Sequence, residues 1–129
     1  MVGPFGIWVR SPRIGQAVQN VGAVARFQTA LSEDVKEVAI CTVGAHFMAK
    51  FEFAAHRSLA LTAGVAEEIL DAIHEDLRPT FQDDRQRIAY EFAHQLLAGK
   101  RILPETYSLA TTLFDESALI ELVSIIGYY

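Results

Sequence analysis

Cysteine is almost missing from this chain: Cys41 is the single one in 129 residues. An intramolecular disulfide and any CxxC dithiol are excluded by that count alone, and a reducing cytoplasmic setting is the natural expectation. Long apolar runs are missing too. The least polar stretches, Val38 to Ala49 and Ala118 to Tyr129, fall short of the roughly 18 residues that a bilayer span needs, and Thr42, His46 or Glu121 interrupts them. No membrane partner is expected. Met1 to Arg13 is broken by Gly3, Pro4, Gly6, Arg10 and Pro12 and has neither the basic region nor the continuous apolar stretch of an export signal. Positive charge is in deficit as well, with 11 Lys and Arg against 16 Asp and Glu, a net charge of -5 and no basic cluster. Nucleic acid is bound largely through clustered Lys and Arg, so it is not an expected partner. A Gly-rich phosphate loop and a nucleophile elbow are also absent.

What the chain has in quantity is apolar side chains. Hydrophobic residues make up 51% of it and charged residues 21%, enough for one domain with a packed core over residues 1–129. A mean hydropathy of +0.21 is high for such a chain and suggests apolar surface shared between subunits, hence a homo-oligomer.

The pattern is helical throughout, with no sustained two-residue alternation, so the expected fold is an all-α single-domain bundle of about six to seven helices. After an irregular Val2-Gly3-Pro4-Phe5-Gly6, Ser11 and Pro12 start a first helix that ends near Leu31. Ser32, Glu33 and Asp34 start a second, running to about Met48, with Ser32 as a capping hydroxyl. A third spans Ala49 to Ala63 and stops at Gly64; a fourth spans Ala66 to Leu77. The fifth runs from Asp83 to Ala98 and ends at Gly99, Pro104 starts a sixth, and Asp115 with Glu116 starts a seventh. That last helix stays apolar through Val123, Ile125, Ile126, Tyr128 and Tyr129, as though a neighbouring subunit covered it.

Side chains able to move protons gather in the second and third helices. Glu52 and His56 stand at i and i+4 and share a helical face. A carboxylate there orients and charges an imidazole that titrates near neutral pH, although the same spacing also serves solvated surface pairs. Glu37, among Val35, Val38, Ala39 and Ile40, is either a buried acid or base or a first-turn complement to the helix dipole. His46 and Lys50, near the turn between these helices, either bind an anionic substrate or complement the end of the second helix. Metal binding is not expected. Glu91-Phe92-Ala93-His94 supplies one Glu-x-x-His where di-metal bundles use two, and the Glu52–His56 spacing is one residue too long. Cys41, within an apolar helix, reads as a small core residue.

Between Leu31 and Ile73 stand Ser32 to Ile40, Phe51-Glu52-Phe53-Ala54-Ala55-His56 and Ala60 to Ile69. With these segments the run resembles the carboxymuconolactone decarboxylase family, which includes the alkylhydroperoxidase D-like proteins. Glu37, Glu52, His56 and Gly64 match the family pattern in order and approximate spacing. Gly3 to Pro12 and Leu119 to Tyr129 are similar to family segments less distinctively, and since members often extend beyond both ends, the likeness implies a short member. In the peroxidase branch two cysteines match Ala49 and Glu52, with a histidine matching Phe51 between them. This chain lacks all three, and Cys41 lies elsewhere. The resemblance therefore implies the decarboxylase branch: a carboxy-lyase acting on a small carboxylated lactone or related metabolite by cofactor-free acid–base chemistry. His56 would be the proton donor or relay, Glu52 its orienting partner and Glu37 a second acid or base, with His46 or Lys50 on the substrate carboxylate. Assembly as rings built from dimers is also implied. The alternatives are a non-enzymatic small-molecule-binding member of the fold and, further off, a peroxidase-like protein using Cys41.

Overall fold

The computed structural model describes residues 3–129, and among these it contains eight helices and no strand. They are α1 (Phe5–Trp8), α2 (Pro12–Phe27), α3 (Glu33–His46), α4 (Lys50–Thr62), α5 (Glu67–His74), α6 (Asp84–Gly99), α7 (Pro104–Leu113) and α8 (Glu116–Tyr128). Seven answer to the segments read from the sequence. The additional one is α1, a single turn in a stretch expected to be irregular. The Pro4 carbonyl accepts from the Ile7 and Trp8 amides, the Phe5 and Trp8 rings meet edge to face at 5.3 Å, and α2 receives the turn at Gly15. A Cβ at Gly15 would lie 2.6 Å from the Trp8 carbonyl oxygen, so only glycine permits this approach.

The fold is organised around α3. Every residue from Val35 to Gly44 is buried, because α4, α5, α6 and α8 all pack against this helix. A helix that is apolar on all sides belongs inside a bundle rather than on its surface. Its polar side chains are accordingly hydrogen-bonded: the Thr42 hydroxyl donates to the Val38 carbonyl at 2.7 Å, and Lys36 Nζ donates to the Arg26 carbonyl at 2.5 Å. The Lys36 ammonium thus sits at the negative end of α2 and ties α2 to the core. The backbone amide of Ala30 donates to Glu121 at 2.9 Å, which joins the α2–α3 connection to α8.

Several boundaries differ from the sequence reading for local reasons. α3 ends at His46, and Met48 takes a left-handed φ of 53° that reverses the chain into α4. Gly64 ends α4 as expected, at φ +94°. Gly99 remains helical, and the left-handed position after α6 falls to Lys100 at φ 58°. Ser32 makes no capping bond through its side chain, whereas Asp83 accepts from the amides of Arg85 and Gln86, and Asp115 from that of Ala118. In α8, Leu119, Leu122, Ile125 and Ile126 are buried within the chain itself. The expected dependence on a neighbour is thereby reduced to the exposed Ile120 and Val123. Among the described residues no helix is long and apolar enough to cross a membrane.

Candidate functional site

The packing of α2 against α8 and of α4 against α3 leaves a cavity of about 530 Å³ lined from α1, α2, α4 and α8. That volume suits a small organic molecule. Helical periodicity explains which side chains reach it. From α2 come Val18, Gln19, Gly22, Ala23 and Arg26, one stripe of the helix; from α4 come Phe51, Glu52, Ala55 and His56, again one stripe. Tyr128 at the end of α8 and Tyr129 just beyond it close the cavity, with Phe5 and Trp8 from α1. Aromatic rings of Phe5, Trp8, Phe27, Phe51, Tyr128 and Tyr129 form a large part of its walls.

His56 is the best-defined polar group in this cavity. Only 5% of the residue is exposed, and Nδ1 lies 2.7 Å from Oε2 of Glu37, itself 4% exposed. A carboxylate accepts and does not donate, so Nδ1–H is the donor and Nε2 is left to face the cavity. Glu52 Oε2 stands 3.7 Å from Nε2 with its side chain 35% exposed, within electrostatic reach but too far for a hydrogen bond. The partner that orients the imidazole is therefore Glu37, nineteen positions away in sequence, and not Glu52. Glu52 and His56 line the cavity, while Glu37 sits directly behind His56.

The Tyr129 ring meets the His56 ring edge to face at 4.9 Å. Burial pushes the Tyr129 hydroxyl up to about 12, with Arg26 opposing the shift and Glu37, Tyr128 and Glu52 adding to it. Tyr129 is thus a neutral O–H donor at neutral pH. Tyr128 is also raised by burial, with Glu52 adding and Arg26 opposing. Its hydroxyl rests over the backbone of α2 in a notch left by Gly22, where a Cβ would lie 2.2 Å from the hydroxyl oxygen.

The two cationic candidates named from sequence lie elsewhere. His46 is exposed and lines a separate recess of about 370 Å³ with His74, His94, Tyr90 and Asp76. Lys50, exposed at the start of α4, is not part of the cavity wall. The left-handed turn at Met48 accounts for both placements, since it separates the end of α3 from the inward stripe of α4. The cation the cavity does contain is Arg26, which sequence reasoning missed, as it missed Tyr129 and the burial of Lys36 at 3% exposure. The helical stripe of α2 running from Val18 through Gly22 to Arg26 was the available signal.

Glu91 pairs with Arg78, and His94 stacks on Tyr90. Among the described residues no group of three or more His, Cys, Asp or Glu is arranged to hold a metal ion. Cys41 is fully buried, and burial, with the Glu37 charge adding, pushes its thiol up to about 12. A buried thiol held protonated in this way is a poor nucleophile. Comparison of the chain with family models, curated proteins and solved structures finds no match.

Proposed function

We propose that this chain is a carboxymuconolactone decarboxylase-like, alkylhydroperoxidase D-like protein that removes CO₂ from a small carboxylated lactone or related metabolite, using its own side chains as acid and base. The observation that carries the reading is the buried Glu37–His56 hydrogen bond, which aims Nε2 of a single oriented imidazole into an aromatic cavity beside Glu52. In the reaction the bond between the substrate carbon and its carboxylate breaks, the electron pair stays on carbon as a carbanion or enolate, and CO₂ leaves. Protonated His56 then gives its Nε2 proton to that carbon, while Glu37 holds the ring in place through Nδ1. Glu52 is the second acid or base, near enough to return a proton to Nε2 once substrate or water bridges the 3.7 Å gap. Apolar walls assist, because loss of CO₂ disperses charge and is favoured away from bulk water.

The test is CO₂ release from a panel of carboxylated lactones and β-keto acids without added thiol. Turnover of at least one panel member supports the reading, and failure across the panel refutes it. Binding without turnover would point to the non-enzymatic alternative.

Homo-oligomeric assembly, expected from the hydropathy, belongs to the same proposal. Its support is the set of exposed apolar side chains on α2, Ile14, Val21 and Val24. Light scattering at micromolar concentration should give a mass above 14.3 kDa, and Val24→Asp should lower it; a stable wild-type monomer would contradict this part.

A further inference from the structure

We propose that Arg26 is the anchor for the anionic end of the ligand, and that the cavity selects a flat, apolar-bodied carboxylate over its neutral isostere. The inference rests on the reading of this cavity as a substrate site and adds the residue that sets its charge preference. Arg26 lies in the last turn of α2, on the same stripe as Gln19 and Gly22. Its guanidinium carbon is 5.1 Å from the centre of the Phe27 ring, itself part of the cavity wall. Arg26, Tyr128 and Tyr129 line the same cavity.

Three further observations indicate a place kept for an anion. Arg26 forms no ion pair among the described residues, which leaves its guanidinium without a carboxylate partner inside the chain. Its backbone is fixed where it stands, because its carbonyl accepts from buried Lys36. Besides Arg26, the polar side chains of the wall are Gln19, Glu52, His56, Tyr128 and Tyr129, so among the described residues Arg26 is its one permanently cationic group. A guanidinium presents a planar fork that matches a carboxylate, and against aromatic walls it rewards a flat ligand body. Glu52 repels an anion, so the group that Arg26 holds is an anionic group other than the carboxylate lost as CO₂, which stays at the reacting end beside His56. A contact of this kind holds ground state and transition state equally, and so acts on KM more than on kcat.

The probes are benzoate and the neutral benzamide, titrated into the full chain by calorimetry and by NMR. Benzoate should bind at millimolar or lower concentration, about tenfold or more tighter than benzamide, and should shift the His56 and Tyr129 resonances. Arg26→Gln should weaken benzoate by about ten- to a hundredfold while leaving benzamide unchanged, which also shows that the variant cavity is intact. His56→Asn should retain benzoate binding. Equal affinities for the two probes, no benzoate binding, or an Arg26→Gln variant that binds benzoate like wild type would each overturn the proposal. Turnover plays no part in these readings. Failure of CO₂ release would therefore refute the decarboxylase reading and leave Arg26 standing, and equal probe affinities would do the reverse.

Discussion

Removing the carboxylate behind His56 should unfold this protein more readily than removing any surface ion pair. Glu37 and His56 are 4% and 5% exposed and lie 2.7 Å apart. Glu37→Ala strips the imidazole of its acceptor and leaves a polar N–H in the core, a change that costs about 3–5 kcal/mol when a buried pair is broken from one side. The exposed pair of Arg87 with Asp84 is worth at most about 1 kcal/mol by comparison. Glu37→Gln keeps an amide oxygen for Nδ1–H and loses only the charge, so about 1–2 kcal/mol is expected. In the Glu37→Ala/His56→Ala double variant no polar group is stranded, and its cost should fall short of the sum of the single costs by about 2 kcal/mol. Urea unfolding at pH 7, with the slope m checked for constancy, measures all of these, and Glu37→Ala should lower Tm by roughly 10–20 °C. A Glu37→Ala cost below about 1 kcal/mol, or additivity within about 0.5 kcal/mol, would refute the reasoning.

Two glycine substitutions should differ in kind. At Gly15 an added Cβ meets the Trp8 carbonyl oxygen at 2.6 Å, and that backbone cannot swing away; Gly15→Ala should cost about 1–3 kcal/mol in thermal unfolding. At Gly22 it meets the far end of Tyr128, so Gly22→Ala should cost less than about 1 kcal/mol yet shift the Tyr128 ring resonances as the cavity opens. Cys41 should be inert to a thiol reagent at pH 8 until the chain is denatured. The unfolded thiol releases its proton near its ordinary 9.0 while the folded one holds it to about 12, so the unfolded state binds fewer protons in that window and stability falls as pH rises. The loss should approach about 1.4 kcal/mol per pH unit above 9, and Cys41→Ala should remove that contribution from stability measured across the range. Lys36→Met leaves the Arg26 carbonyl without its donor. It should cost about 1–3 kcal/mol and speed amide exchange along α2 before the rest of the chain, as read by hydrogen exchange.

Much of the helical layout was legible because its punctuation is chemically explicit. Pro12 and Pro104 occupy first-turn positions, Asp83 and Asp115 cap α6 and α8, and Gly64 takes the left-handed turn that ends α4. The turns at Met48 and Lys100 were not legible, since neither residue type signals a positive φ, and tertiary packing imposes it there. Four-residue α1 is too short to show a period. Within the site, Glu52 with His56 could be read because helical spacing alone brings them together. The Glu37–His56 bond spans two helices, and Arg26 and Tyr129 come to the cavity from α2 and from just beyond α8. Such encounters depend on how helices cross, which periodicity along one helix does not encode. His46 and Lys50 show the reverse: neighbours in sequence of the reactive stripe, they are turned away from it by the geometry at Met48.

The most direct test of the account compares CO₂ release by wild type, Glu52→Gln and His56→Ala on one substrate that wild type turns over. Oriented acid–base chemistry at His56 predicts a kcat loss of about 10²–10⁴ for His56→Ala, a smaller loss for Glu52→Gln, and full wild-type activity without thiol. Undiminished turnover in both variants would contradict it.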